Sequence, residues 1–398
     1  MTESSGSNRA GDRRQAPGNP ADRWPLHDRP VRPKKVLAMK LRALGDTVLM
    51  TAPVLELQRA FPDAELHVAV QSSWAPVFDR FPNLAQVWGY ERHKERAARA
   101  KALARLALKL RRERFDLVVN FHASPSSATI SFATGARHRS IHFHGHKDKN
   151  RYSTVRIPGK GTLKPIVERD MDAVRALGIQ VPEGGVPRIF LQEAEIARAS
   201  ERLGLQGFTG RVLGLGLGSS RPTKCWPVDR FAEVAVRWCK DAGGSAVAFA
   251  GPGERERGLE FLKGIDEALR AHVPDVRERA VIRARIGLET SLDLRFLTAM
   301  LGRCAVVLGN DSGPRHLAVA AGVPTVTLFG PEHPFEWHPY PLERHPRLFM
   351  EPLECRKDAE PGMPAWCGIE VCVEQAHRCM TMIGADPVLV ECLRVATP

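Results

Sequence analysis

No stretch of this 398-residue chain approaches the ~20 consecutive apolar residues that a membrane-spanning helix needs. Its first 30 residues lack the apolar centre of a secretory signal. Both absences lead us to expect a cytoplasmic protein whose eight cysteines are mostly reduced thiols. No cysteines stand as a C-x2-C pair, so the common zinc spacing is missing. GxxxxGK[ST] does not occur, which excludes a P-loop, and no short-period repeat suggests a solenoid.

Positive charge is present but unevenly spread. Lys and Arg number 58 against 45 Asp and Glu. Residues 1–35 hold eight basic and four acidic residues, and residues 91–114 hold ten and three. These two segments carry 11 of the 13 excess charges, so the rest of the chain is nearly neutral. Such concentration disfavours nucleic acid as the main ligand and suits an anionic membrane surface, an anionic acceptor or plain solvation.

Residues 1–33 lack hydrophobic periodicity and are expected to form a tail without fixed structure. Strand patterns then alternate with helical ones. VLAMKL, AELHVAV, LAQVW and FDLVVNFH read as strands, with helices over 46–60, 72–80, 93–113 and from Ser124. Residues 136–165 read as irregular and 165–179 as a helix, and VPEGGVP (181–187) reads as a linker. The alternation restarts at VLGLGLG (212–218) and runs to VPTVTLFG (323–330). The expected architecture is α/β, with two Rossmann-like, doubly wound domains facing a cleft. Its divisions are the tail 1–33, an N-terminal domain 34–185, a C-terminal domain 186–350, and a Cys-containing segment 351–398 with a closing helix.

Four loops after strands carry chemistry. In NDSGPRHLA (310–318), Asp311 or Ser312 is placed to cap a helix, and Gly313 admits close backbone approach. Pro314 and His316 fall in its first turn. SSRPTKCWP (219–227) offers Ser219, Ser220, Thr223 and Lys224, the last as a point charge for phosphate. Cys225 beside that lysine is a candidate for a lowered pKa. GPGERE (251–256) sets Glu254 or Glu256 at a strand end, where acids accept from ribose hydroxyls. In KLRALGDT (40–47), Asp46 is a helix N-cap, a metal ligand or a general base, with Lys40 and Arg42 able to hold an anionic acceptor.

KLRALGDTVLMTAPVLELQRAFPDAELHVAV, SSRPTKCWPVDRFAEVA and VVLGNDSGPRHLAVAAGVPTVTLFGP together resemble glycosyltransferase family 9, the ADP-heptose:lipopolysaccharide heptosyltransferases. PIVERDMDAVRALGI and AHRCMTMI are similar to further segments of that family, so the resemblance spans about residues 34 to 395. It implies a GT-B fold, with the acceptor on the N-terminal domain and the nucleotide sugar on the C-terminal one. By motif match it implies Asp46 as catalytic base and Lys40 as a basic residue of the same loop. Thr223 and Lys224 match donor-phosphate contacts, Glu254 the ribose acid, and Asp311, Ser312, Gly313 and His316 the donor-binding helix start. The implied partners are ADP-heptose and a lipid A-core acceptor at the inner face of the inner membrane. Inverting transfer needs one base and stabilisation of the departing diphosphate, which Lys224 and a helix N-terminus supply without a metal or other cofactor.

Three further features are open to other readings. Asp170-Met-Asp172 reads as solvated helix charge rather than a metal site. His142, His144 and His146 alternate, as a metal site or a polar loop would have them. Cys355, Cys367, Cys372 and Cys379 read as free buried thiols ahead of a metal site or disulfides. The competing functions are a GT-B relative with another nucleotide sugar, a sugar-nucleotide epimerase, and a basic membrane- or nucleic-acid-binding protein.

Overall fold

A computed structural model describes residues 32–122, 124–142, 151–157, 164–208, 210–356, 367, 371–372 and 376–397. The expected tail, apart from its last two residues, lies outside them, as do His144 and His146.

The first half runs β1 (Lys35–Met39), α1 (Leu44–Leu49), α2 (Thr51–Ala60), β2 (Glu65–Gln71), β3 (Leu84–Tyr90), α3 (Arg96–Arg112), β4 (Leu117–Asn120), α4 (Pro125–Ala133), β5 (His138–Ile141) and α5 (Ile166–Arg175). The second runs α6 (Glu193–Leu205), β6 (Val212–Gly216), α7 (Val228–Asp241), β7 (Ser245–Ala250), α8 (Arg255–His272), α9 (Val276–Ala284), β8 (Ile286–Thr290), α10 (Leu294–Leu301), β9 (Val306–Asn310), α11 (Gly313–Ala320), β10 (Thr325–Phe329), α12 (Pro334–Trp337), β11 (Arg347–Phe349), α13 (Arg378–Thr381) and α14 (Ala385–Val395). The strands form two parallel sheets, ordered β3-β2-β1-β4-β5 and β11-β10-β9-β6-β7-β8. Central strands such as β6 and β9 are buried throughout. That burial explains their unbroken apolar sequences: helices cover both faces of a parallel sheet.

Strand order reverses between β1 and β4 in one sheet and between β6 and β9 in the other. Ligands of open α/β sheets bind outside the carboxyl ends of the strands at such reversals. The connections that lead to Asp46 and hold Ser219 and Asp311 leave β1, β6 and β9 at these points. The halves meet tightly, since one apolar cluster joins β1, α1 and β2 of the first half to α10 and α11 of the second.

The structure departs from the pattern in several places. The helix expected over 46–60 is two, α1 and α2, with Met50 between them. Pro53 explains the break, since it has no N–H to bond back to Leu49 and is tolerated only in the first turn of a new helix. The segment after β2 is a 3-10 helix, Ser72–Phe78. Residues 136–165 are not wholly irregular, for β5 (HRSI) lies within them. The stretch between the linker and β6 holds α6, which opens with a Gln192/Glu195 capping box.

Candidate functional site

In the first half, the turn after β1 brings three charged side chains together. Asp46 is not an N-cap: Ala43 holds that position, and Asp46 is the third residue of α1. It is buried, with Lys40 Nζ 3.7 Å from its Oδ1 and Arg42 Nε 3.8 Å from its Oδ2. The buried Oδ1 accepts no hydrogen bond. Lys40 is fully buried and donates instead to Asp170 Oδ2 on α5 at 2.5 Å. The reading of Asp170-Met-Asp172 as solvated charge is therefore corrected. Both carboxylates are buried, Asp172 taking Lys164 at 2.8 Å and Arg175 at 3.0 Å. These cations make burial tolerable, because a buried charge persists only when paired.

In the second half, Asn310 at the end of β9 ties the loops together. Its Nδ2 donates to the carbonyls of Leu217 and Gly218, and its Oδ1 accepts from the Trp226 amide. Neither Asp311 nor Ser312 caps α11 through its side chain. Ser312 occupies the N-cap position with Oγ buried and unpartnered. Asp311 lies between two cations, Lys224 Nζ at 2.5 Å and Arg315 Nη2 at 2.6 Å. Burial alone would raise the Asp311 pKa, but these cations outweigh it and hold the carboxyl below the usual range. Lys224 also lies 4.0 Å from Glu332, which pairs with Arg221, so three cations against two carboxylates leave positive charge beside the N–H groups that open α11.

His316 is held neutral by burial, which drives its pKa well below the ordinary value. Its Nδ1 lies 2.5 Å from Tyr340 Oη. Burial also keeps the proton on Tyr340, so this is a hydrogen bond between two neutral groups. Glu254 accepts from the Gly251 amide at 2.7 Å and lies against Gly218, where an added Cβ would stand 1.6 Å from the carboxylate. Glycine is what lets that loop pass beneath the acid. Glu256 is exposed. Ser219 Oγ donates to the Asp311 carbonyl at 3.2 Å.

The two loop systems face each other. The tips of α1 and α11 touch, so that a Cβ on Gly45 would come within 2.8 Å of His316, and one on Gly313 within 2.7 Å of Leu44. Beside this contact opens a cavity of about 610 Å3. Asp46 lines it from one half, and Ser219, Lys224, Glu254, Asp311, Ser312, Gly313 and His316 line it from the other. Thr223 is buried behind the cavity rather than on its wall, and Lys40 and Arg42 stand behind Asp46 rather than lining it. Trp74, Glu289, Leu292, Leu294, Leu297 and Trp337 also line the cavity, and sequence reasoning missed them. No motif marked these six. Trp74 in its 3-10 helix and Glu289 on an edge strand are signalled only by their position in the fold.

The cysteines are free thiols, with Cys379 buried and Cys225, Cys355, Cys367 and Cys372 half-buried. Burial raises the Cys225 pKa, the opposite of the activation expected from Lys224. Cys355, Cys367, Cys372 and Cys379 converge with Arg356 on a separate small cavity, and burial pushes the Cys379 thiol up to about 11. Among the described residues, no helix is long and apolar enough to cross a membrane.

This arrangement has counterparts in known proteins. The sequence profile of glycosyltransferase family 9 (heptosyltransferase) matches residues 103–362. Lipopolysaccharide heptosyltransferase 2 of Escherichia coli (strain K12) is 26% identical over 316 residues, which cover 75% of this chain and 84% of that protein. The glycosyl transferase family 9 structure from Veillonella parvula DSM 2008 aligns with a TM-score of 0.69 at 20% identity, covering 91% of this chain and 97% of the other. The E. coli ADP-heptose lps heptosyltransferase II aligns with a TM-score of 0.66 at 18% identity, covering 91% and 98%. The fold shared with these structures is GT-B, two parallel-sheet α/β halves around a cleft.

Proposed function

The chain belongs to glycosyltransferase family 9, and from that membership we propose that it moves a heptose from ADP-heptose to the inner core of lipopolysaccharide, inverting and metal-independent. Membership makes it a glycosyltransferase and sets aside the reading as a basic binding protein. The heptosyltransferase names of its relatives support the donor and acceptor class. One observation carries the mechanism: a carboxylate of the first half and a cationic helix start of the second line the same cavity.

The half formed by residues 34–185 takes the acceptor, and that of residues 186–350 takes the nucleotide sugar. Asp46 accepts the proton of an acceptor hydroxyl. The hydroxyl oxygen forms the new bond to the anomeric carbon from the face opposite the diphosphate. The bond between that carbon and the phosphate oxygen breaks, and ADP leaves with the bonding pair. Asp46 suits the proton step because its buried oxygen has no hydrogen-bond donor to displace. Lys224, the Ser312 hydroxyl and the N–H groups of α11 meet the charge gathering on the diphosphate, with Ser219 lining the same wall. Glu254 takes the ribose hydroxyls, and the leucines over 292–297 supply an apolar wall for the base. Asp170 and Asp172 are committed to Lys40, Lys164 and Arg175, which supports a mechanism with no metal held by that pair.

The exposed cations of α3, among them Arg99, Lys101, Arg105, Lys109 and Arg112, supply the contact with an anionic membrane surface where a lipid-linked acceptor resides. The direct test is incubation with ADP-heptose and a panel of truncated lipid A–core acceptors, read by mass spectrometry. A gain of one heptose on one acceptor is expected. No transfer from ADP-heptose, with transfer from a GDP- or UDP-sugar, would overturn the donor.

A further inference from the structure

We propose that Asp170 is a positioning residue for the cleft carboxylate: it draws the Lys40 ammonium off Asp46, so that Asp46 lies beside a cation that does not cap it. The proposal rests on the reading of Asp46 as base. Lys40 Nζ lies 2.5 Å from Asp170 Oδ2 and 3.7 Å from Asp46 Oδ1, and all three side chains are buried. Two carboxylates thus share one ammonium, and the one in the cavity is left with the longer contact.

Stability alone is a poor reason for this arrangement. A buried ion pair is commonly no better than apolar packing of the same volume. Asp170 Oδ1 is moreover buried with no hydrogen-bond partner, a cost that a purely structural pair would be expected to shed. Burial first, and the Asp46 charge to a smaller degree, raise the Asp170 pKa to about 6 against the pull of Lys40.

The charges around the pair come from few places. Arg42 lies on the far side of Asp46, and Arg169 is Asp170's neighbour on α5. On α2, which packs against α5, Glu56 and Arg59 pair with each other at 2.8 Å. On β5, Arg139 donates to the Tyr152 and Ala136 carbonyls, and burial holds His138 below its ordinary value. β4 brings no ionisable side chain. Lys40 is therefore the cation whose division between two carboxylates a mutation can change.

The test is the pH profile of kcat/KM for sugar transfer in Asp170→Asn, Lys40→Met and the parent, with Asp46→Asn alongside. In Asp170→Asn, Lys40 has only Asp46 to pair with. Its acid limb is expected to move down by about one unit, as an opposite charge at contact distance makes a carboxyl more acidic. The plateau falls about tenfold because the base is weaker and capped. The KM for the donor stays within about twofold, since Asp170 lies on the acceptor side. In Lys40→Met the shift is reversed, because two carboxylates then lack their shared cation. A merely structural role would lower the melting temperature and leave the limb in place. A folded Asp170→Asn with an unmoved acid limb, while Asp46→Asn is inactive, overturns this proposal alone. Full turnover in Asp46→Asn would instead overturn the base on which it rests. Should Asp170→Asn not fold, Lys40→Met decides: an upward limb shift supports the proposal and an unmoved limb refutes it.

Discussion

Asp46 owes its place to cations that it does not hydrogen-bond, with Lys40 at 3.7 Å and Arg42 at 3.8 Å. Removing its charge should therefore leave the fold and the opposite wall intact. Asp46→Asn is expected to lower kcat by about 10²- to 10⁴-fold, as loss of a general base does, while the Kd for ADP stays within a few-fold in calorimetry. Lys224 has the opposite profile, since it sits in the cradle assigned to the diphosphate. Lys224→Ala is expected to weaken ADP binding by about tenfold or more and to slow transfer as well. Equal ADP affinity in the parent and Lys224→Ala would remove that lysine from the donor site. At this scale the sequence was most informative where a side chain follows shortly after a strand, in the loop or the first turn of the helix beyond it. Asp46, Lys224, Glu254 and His316 all line the cavity. It did not reveal that Lys40 pairs with Asp170, because pairing across 130 residues leaves no local pattern.

Elements were legible in proportion to their burial. β1, β6, β9 and β10 are central or nearly so, and their apolar runs announced them. β5, β8 and β11 escaped notice as edge or near-terminal pieces, where polar residues such as His138, Arg139 and Glu289 break the run. α3 was legible through its two faces. Leu106 and Leu110 are buried, while Arg105, Lys109 and Arg112 are exposed. Those cations are expected to bring the protein down with anionic vesicles in sedimentation at low salt, and markedly less at high salt, because screening shortens their reach. Reversing Arg105, Lys109 and Arg112 to Glu should abolish that binding and leave transfer to a soluble truncated acceptor unchanged. Vesicle binding that survives the reversal would place the membrane contact elsewhere.

For the molecule as a whole, the buried histidines couple stability to pH. Burial holds His316 well below 6.5, His338 at about 3 and His345 at about 4. The unfolded chain takes up protons near pH 6.5 that these sites refuse. Stability should therefore fall as the pH drops from about 6.5 towards 4, by about 1.4 kcal/mol per unit for each such histidine. Asp170 acts the other way over part of that range. Raised from 3.8 to about 6, it keeps a proton that the unfolded chain releases. Three groups outweigh one, so the melting temperature is expected to decline from pH 7 to pH 5, and a rise would contradict the histidine burial.

The two-sheet design itself was legible, because alternating apolar strands and amphipathic helices dictate it. How the halves meet was not, since the packing of Leu44 on Gly313 and of Gly45 on His316 belongs to three dimensions. The central claim concerns that meeting: one cleft places the base and the diphosphate cradle on facing walls. A crystal structure of Asp46→Asn with ADP-heptose and a truncated acceptor tests it most directly. The account predicts the diphosphate against Lys224 and the start of α11, with an acceptor hydroxyl within hydrogen-bond distance of residue 46. A diphosphate bound away from α11, or an acceptor that never approaches residue 46, would contradict it.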